Sequence, residues 1–118
     1  MIKLIEREHE LDRELLMRTL SGKKMLAYMR AYGPSYEFCR FYRITDENGE
    51  GFMFIINSTL IICGDGKLRA SEEINLFVSM NVPFRIEGDR EILEEIKEKF
   101  YSEPVALDEI KCYNPAFD

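Results

Sequence analysis

The stretch "CGDGKLR" at Cys63 to Arg69 holds residue types that phosphate chemistry uses: Gly64 and Gly66, whose backbone can come close to an anion, and Lys67 and Arg69 to neutralise it. A P-loop needs GxxxxGK[ST] opening directly into a helix. Here Leu68 follows Lys67, and the next helix cap, Ser71, lies further on, so the stretch reads as a turn ending a strand. "SGKK" at Ser21 to Lys24 has the lysines without an upstream glycine. Cys39, Cys63 and Cys112 are widely separated and form no CxxC pair, so they read as buried thiols and signal neither a disulfide framework nor a zinc site. His9 is the single histidine and sits among charges in "EREHE"; any Ser-His-Asp or Cys-His arrangement would depend on it alone. Glu72-Glu73, Glu94-Glu95 and Asp108-Glu109 are consecutive in sequence, so on a helix they diverge by about 100° and read as solvated faces. No polar residue is embedded in an apolar run in a way that foretells a shifted pKa. No catalytic, cofactor-binding or metal-ligating residue is assigned, and Arg40, Tyr42 and Asn57 are left as the pocket candidates.

The segment "AYGPSYEFCRFYRI" sets Arg40 and Arg43 among Tyr36, Phe38, Phe41 and Tyr42. Aromatic and basic residues interleaved on a strand are what single-strand nucleic-acid binders use, together with a positive groove. The chain carries 22 Asp and Glu against 16 Lys and Arg, a net charge of -6, whose field repels phosphate backbones and anionic headgroups alike. Nucleic acid and membrane are therefore excluded as expected partners, and the aromatics are expected in a core. Charges within the first ten residues and apolar runs far short of the ~20 residues that span a bilayer predict a cytoplasmic protein.

A chain of 118 residues with 46% hydrophobic content predicts one α+β domain over 1–118. "IKLIE" reads as a first strand. Leu11, Leu15, Leu16 and Leu20, then Met25, Leu26 and Met29, predict two helices kinked or joined near Gly22, stopped by Gly33 in the left-handed conformation and by Pro34. A strand over Tyr36 to Ile44 follows. Phe52 to Ile56 and Thr59 to Cys63 form a hairpin about Asn57-Ser58, apolar on consecutive residues and so covered on both faces. Ser71 caps a helix with Ile74, Phe77 and Val78 inward, "PFRIEG" is a strand, and Asp89 caps a helix from Arg90 to about Tyr101 with Ile92, Leu93, Ile96 and Phe100 on one face and Glu95–Lys99 paired on the other. Pro104 ends that helix, and a last strand lies in "VALDEIKCYNPAFD". The fold expected is a mixed, mainly antiparallel sheet packed with helices.

This order, with "MLAYMRAYGPSYEFCRFYRI", "STLIICGD", "SEEINLFVSMNV" and "NPAF", resembles the N-terminal half of a group of GNAT-like N-acetyltransferases from the Firmicutes. The resemblance implies a degenerate acetyltransferase-like half. Its activity and acetyl-CoA site would lie in a second, catalytic half beyond the Asn-Pro segment. That family's pyrophosphate loop runs Arg or Gln, two residues, Gly, one residue, Gly or Ala, and here Ile61 stands at its first position. The implied role is a non-catalytic N-terminal domain of a longer protein, with no cofactor of its own. Its implied partner is its own C-terminal catalytic domain, whose substrate groove it helps to shape, or another copy. The alternative is a free-standing binding or dimerisation module using its sheet face or hairpin edge.

Overall fold

A computed structural model describes residues 1–96, 101–106 and 108–113, with the backbone alone at 101, 102 and 104–106. In chain order the elements are β1 (Ile2–Leu4), a 3-10 turn (Glu8–Glu10), α1 (Arg13–Leu16), α2 (Leu20–Tyr32), β2 (Cys39–Thr45), β3 (Glu50–Ile56), β4 (Thr59–Gly64), α3 (Glu72–Asn81), β5 (Arg85–Asp89), α4 (Arg90–Leu93), β6 (Tyr101–Ala106) and β7 (Glu109–Tyr113). All seven strands join one sheet in the order β1-β2-β3-β4-β5-β7-β6. Only β4 and β5 run parallel; the other pairs are antiparallel, so the fold is α+β with a mixed, mainly antiparallel sheet packed with helices.

The consecutive apolar residues of the central hairpin have the cause inferred for them. Met53, Leu60 and Ile62 face α3 and α4 with Ile74, Val78, Ile86 and Ile92, while Phe52, Phe54, Ile61 and Cys63 face α1 and α2 with Leu15, Leu16, Met25 and Met29. Two cores lie back to back on one sheet, and each fully buried large side chain stabilises it by about 1.5–3 kcal/mol. Asn57 turns the hairpin at φ 52°, as its side-chain type permits. The Ser71 hydroxyl accepts the Ile74 N–H at 3.2 Å and starts α3.

Three local expectations are corrected. Gly22 does not join two helices: the break falls at Met17 to Thr19, the Thr19 hydroxyl caps α2 by accepting the Gly22 N–H at 3.0 Å, and Gly22 is inside its first turn. A Cβ at Gly22 would stand 2.0 Å from the Leu16 carbonyl oxygen, so glycine lets α2 pass tightly over the end of α1. The strand expected from Tyr36 begins at Cys39, and Phe38, which was expected in the core, is 57% exposed. The helix expected to reach Tyr101 ends at Leu93 and tightens into i to i−3 bonds (Glu95 N–H to Ile92 O, Ile96 N–H to Leu93 O); Tyr101 and Pro104 lie in β6. Ile92, Leu93 and Ile96 are buried as their spacing required. Lys99, Phe100 and the "NPAF" segment lie outside the described residues. Gly33 ends α2 at a positive φ of 76° but with ψ 174°, outside the left-handed helical region.

Candidate functional site

Two strands that run parallel leave their carboxyl ends side by side, the usual place for a ligand in sheets built that way. Here those ends are Gly64 of β4 and Asp89 of β5. The turn after β4 is the glycine-bearing stretch singled out in the sequence. Its N–H groups at Lys67 and Leu68 converge, at 2.9 and 3.0 Å, on one oxygen of the Asp65 carboxylate, and the other oxygen takes the Glu50 N–H at 3.1 Å. An anion-binding array is formed and filled from within. Partial burial pushes the Asp65 carboxyl up, but the N–H bonds from Lys67, Glu50 and Leu68 outweigh it and hold the group below the ordinary aspartate range. Arg69 is engaged as well: its Nη1 donates to the turn's own Leu68 and Gly66 carbonyls at 3.1 and 3.3 Å and pairs with Glu91 at 2.9 Å. On β5, Gly88 at φ 135° brings its backbone so close to β4 that a Cβ would meet the Ile62 carbonyl at 1.9 Å, which holds the parallel pair shut up to its end.

At the opposite end of the sheet the structure places the three pocket candidates. Arg40 and Tyr42 alternate with Ile44 on the α3 side of β2, and Arg40 lies across from Ile55 in the register with β3. Arg40 and Asn57 line a depression of about 260 Å³ with Glu37, Phe38 and Asn81. Arg40 and Tyr42 line a second, of about 350 Å³, which shares Glu37 and Arg40 with the first, so Arg40 divides one groove. Tyr42 and Asn57 are not brought into one depression; the Tyr42 ring stands edge-on to Phe77 at 4.9 Å. Arg43, Arg69, Arg85 and Arg90 each have a carboxylate within 4 Å, but among the described residues the Arg40 guanidinium has none. Beside the groove the aromatics form a ladder from core to surface: Phe41–Phe54 (4.5 Å), Phe54–Tyr28 (5.1 Å), Tyr28–Tyr32 (6.0 Å), Tyr32–Tyr36 (4.7 Å) and Tyr36–Phe38 (5.8 Å). The arrangement can hold a small polar or aromatic group but offers no nucleophile beside a base.

Sequence reasoning missed two buried carboxylates under α2. Glu87 is 2% exposed; its Oε1 accepts from Lys24 Nζ at 2.9 Å, and its Oε2 faces Arg85 Nε at 3.8 Å with no hydrogen bond among the described residues. Glu109, read from the sequence as part of a solvated pair, is 3% exposed, whereas Asp108 is exposed. It accepts the Ser21 N–H at 2.8 Å and the Leu20 N–H at 3.2 Å, binding β7 to the start of α2. The available signal was slight: Glu87 stands between Ile86 and Gly88 and Glu109 before Ile110, each a charge beside a strand residue that must point inward. The cysteines are all buried, and burial pushes the Cys63 thiol up to about 12 and the Cys112 thiol up to about 11. Among the described residues no three metal-ligating side chains come together, and no helix is long and apolar enough to cross a membrane. Neither a family model, a curated protein nor a solved structure matches the chain.

Proposed function

We propose that the chain is a non-catalytic, acetyltransferase-type domain that acts by packing against a GNAT-like catalytic half and walling one side of that half's substrate groove. The observation that carries this reading is the carboxylate of Asp65 seated on the N–H groups of Glu50, Lys67 and Leu68. Acetyl-CoA does not fit there: its pyrophosphate would need those same donors and would meet a fixed negative charge. The surface supports packing, because Leu76, Met80, Val82 and Phe84 stay exposed along α3 and its exit, Met80 by 74%, next to the groove that Asn81 helps to line. In this reading Arg40 and Asn57 face the partner's substrate. Titration calorimetry with acetyl-CoA should give no saturable heat; micromolar binding would overturn the assignment.

The second reading, a self-dimerising module, is favoured by the same α3 face, since Leu76 and Met80 are four residues apart and form one apolar stripe. Sedimentation equilibrium separates the two. A tight dimer abolished by Met80→Glu selects the second reading, and weak open-ended association selects the first. A chain that stays monomeric at all concentrations overturns both.

A further inference from the structure

The net charge of -6 conceals a separation. Residues 1–43 contain nine Lys and Arg against six Asp and Glu, and residues 44–118 contain seven against sixteen. Residues 13–32, which hold α1 and α2, carry five Lys and Arg against one Glu, so the helices on one face of an acidic protein are basic. Within this layer lies the largest of the depressions described, about 400 Å³, between the Glu8–Glu10 turn, α1 and α2. Its apolar wall is Leu11, Met17, Leu26 and Met29, and its rim carries Arg13, Arg30 and His9 against one carboxylate, Glu8. Among the described residues neither Arg13 nor Arg30 has a carboxylate within 4 Å, although carboxylates outnumber cations in the chain and four other arginines have found one.

We infer that this pocket binds an amphiphilic anion: a carboxylate or phosphate head between the Arg13 and Arg30 guanidinium groups, with an unbranched apolar tail lying on Leu11, Leu26 and Met29. The volume is of the size that holds small organic ligands, which are mostly ringed by apolar side chains with a few oriented polar groups. Guanidinium is the side chain best suited to take a carboxylate or phosphate through paired N–H donors, and an apolar floor strengthens those bonds by excluding water. Neither half of the site suffices alone. Glu8 opposes the head group, but two guanidinium groups outweigh it. The site is on the opposite face of the sheet from α3 and does not depend on the reading proposed above.

Sodium decanoate, as a monomer in calorimetry, is the probe. It should bind with one-to-one stoichiometry, more weakly as salt is added. The Arg13→Gln/Arg30→Gln double variant should bind it about tenfold or more weakly, which corresponds to losing roughly 1.4 kcal/mol. Both arginines are exposed, so the variant should melt as wild type does; if it does not fold, Arg30→Gln alone serves. Decanol and inorganic phosphate, each carrying half of the chemistry, should bind more weakly than decanoate. The inference is overturned if decanol or phosphate matches decanoate, if the arginine substitutions leave affinity unchanged, or if decanoate does not bind. Association with phosphatidylglycerol vesicles without decanoate binding would also overturn it, and would make the basic layer a membrane surface.

Discussion

Replacing Glu109 should show how much one buried carboxylate contributes to holding α2 on the sheet. Its two oxygens accept the N–H groups of Ser21 at 2.8 Å and Leu20 at 3.2 Å, two of the donors that a helix leaves unbonded at its start. A hydrogen bond to a charged group contributes about 1.5–3 kcal/mol, and a carboxylate at a helix N-terminus adds roughly 0.3–1 kcal/mol, up to ~2 where partly buried. Water can replace the acceptor at Leu20, which is exposed, but not at Ser21, which is buried. Desolvation of the carboxylate offsets part of the gain, as does the nearness of Asp89, opposite Glu109 in the β5–β7 register. Glu109→Ala is therefore expected to cost about 2–4 kcal/mol, and Glu109→Gln, which keeps one acceptor and loses the charge, about 1–2 kcal/mol. With a urea slope of about 2 kcal/mol/M, the middle of the usual range of roughly 1–3, the alanine midpoint should fall by about 1–2 M at unchanged slope. Hydrogen exchange at the Ser21 amide should quicken in step. A Glu109→Ala midpoint within error of wild type would refute the latch, and equal losses for Ala and Gln would show that charge alone, and not the shape and acceptor that Gln keeps, holds α2.

Asp65→Ala should destabilise the chain at neutral pH. Because the folded Asp65 carboxyl sits below its ordinary range, its contribution is present above the unfolded pKa of about 3.9 and is lost as pH falls through the lower folded value. The gap between wild-type and variant midpoints should accordingly close in acid, and a gap that widens there contradicts the assignment. Phe41→Ala should cost about 3–5 kcal/mol and the exposed Phe38→Ala less than about 1 kcal/mol; equal losses in urea melts would place Phe38 in the core. A thiol reagent at mildly alkaline pH should leave Cys63 and Cys112 unmodified in the native chain and label both in urea, and prompt native labelling would contradict their burial and raised pKa.

What could be read in advance was what a few adjacent residues decide. Ser71 and Asp89 cap helices through N–H groups two or three residues away, and Asn57 makes its turn within the hairpin that contains it. The end of α4 was not legible, because "EILEEIKEKF" keeps helical spacing while the pairing of Tyr101 with Tyr113 draws the chain into a strand. Glu87 and Glu109 were hard to read for a related reason: their partners Lys24, Ser21 and Leu20 are remote in sequence, and an apolar strand neighbour is the one local sign beside either carboxylate. Tyr36 and Phe38 misled because β-prone aromatics were counted into the strand, although Gly33-Pro34 returns the chain to the sheet only at Cys39. Arg40 and Asn57 were chosen by elimination, and it is the β2–β3 register that brings them to one depression.

The place of β7 between β5 and β6 also governs the order in which the molecule can assemble while it is being made. On the ribosome, at roughly 5–20 residues per second, β1 to β4 emerge early and can pair as a run of neighbours. β5 then adds beside β4 and presents an open edge, which β6 does not cover although it is next in the chain. Closure waits for Glu109–Tyr113, which fills that gap, pairs with strands on both sides and brings the acceptor for a helix begun near residue 20. Until then the nascent chain carries a sheet with an uncovered interior edge and a helix with an unfinished start, a state suited to holding by a chaperone and exposed to mispairing with a neighbouring chain.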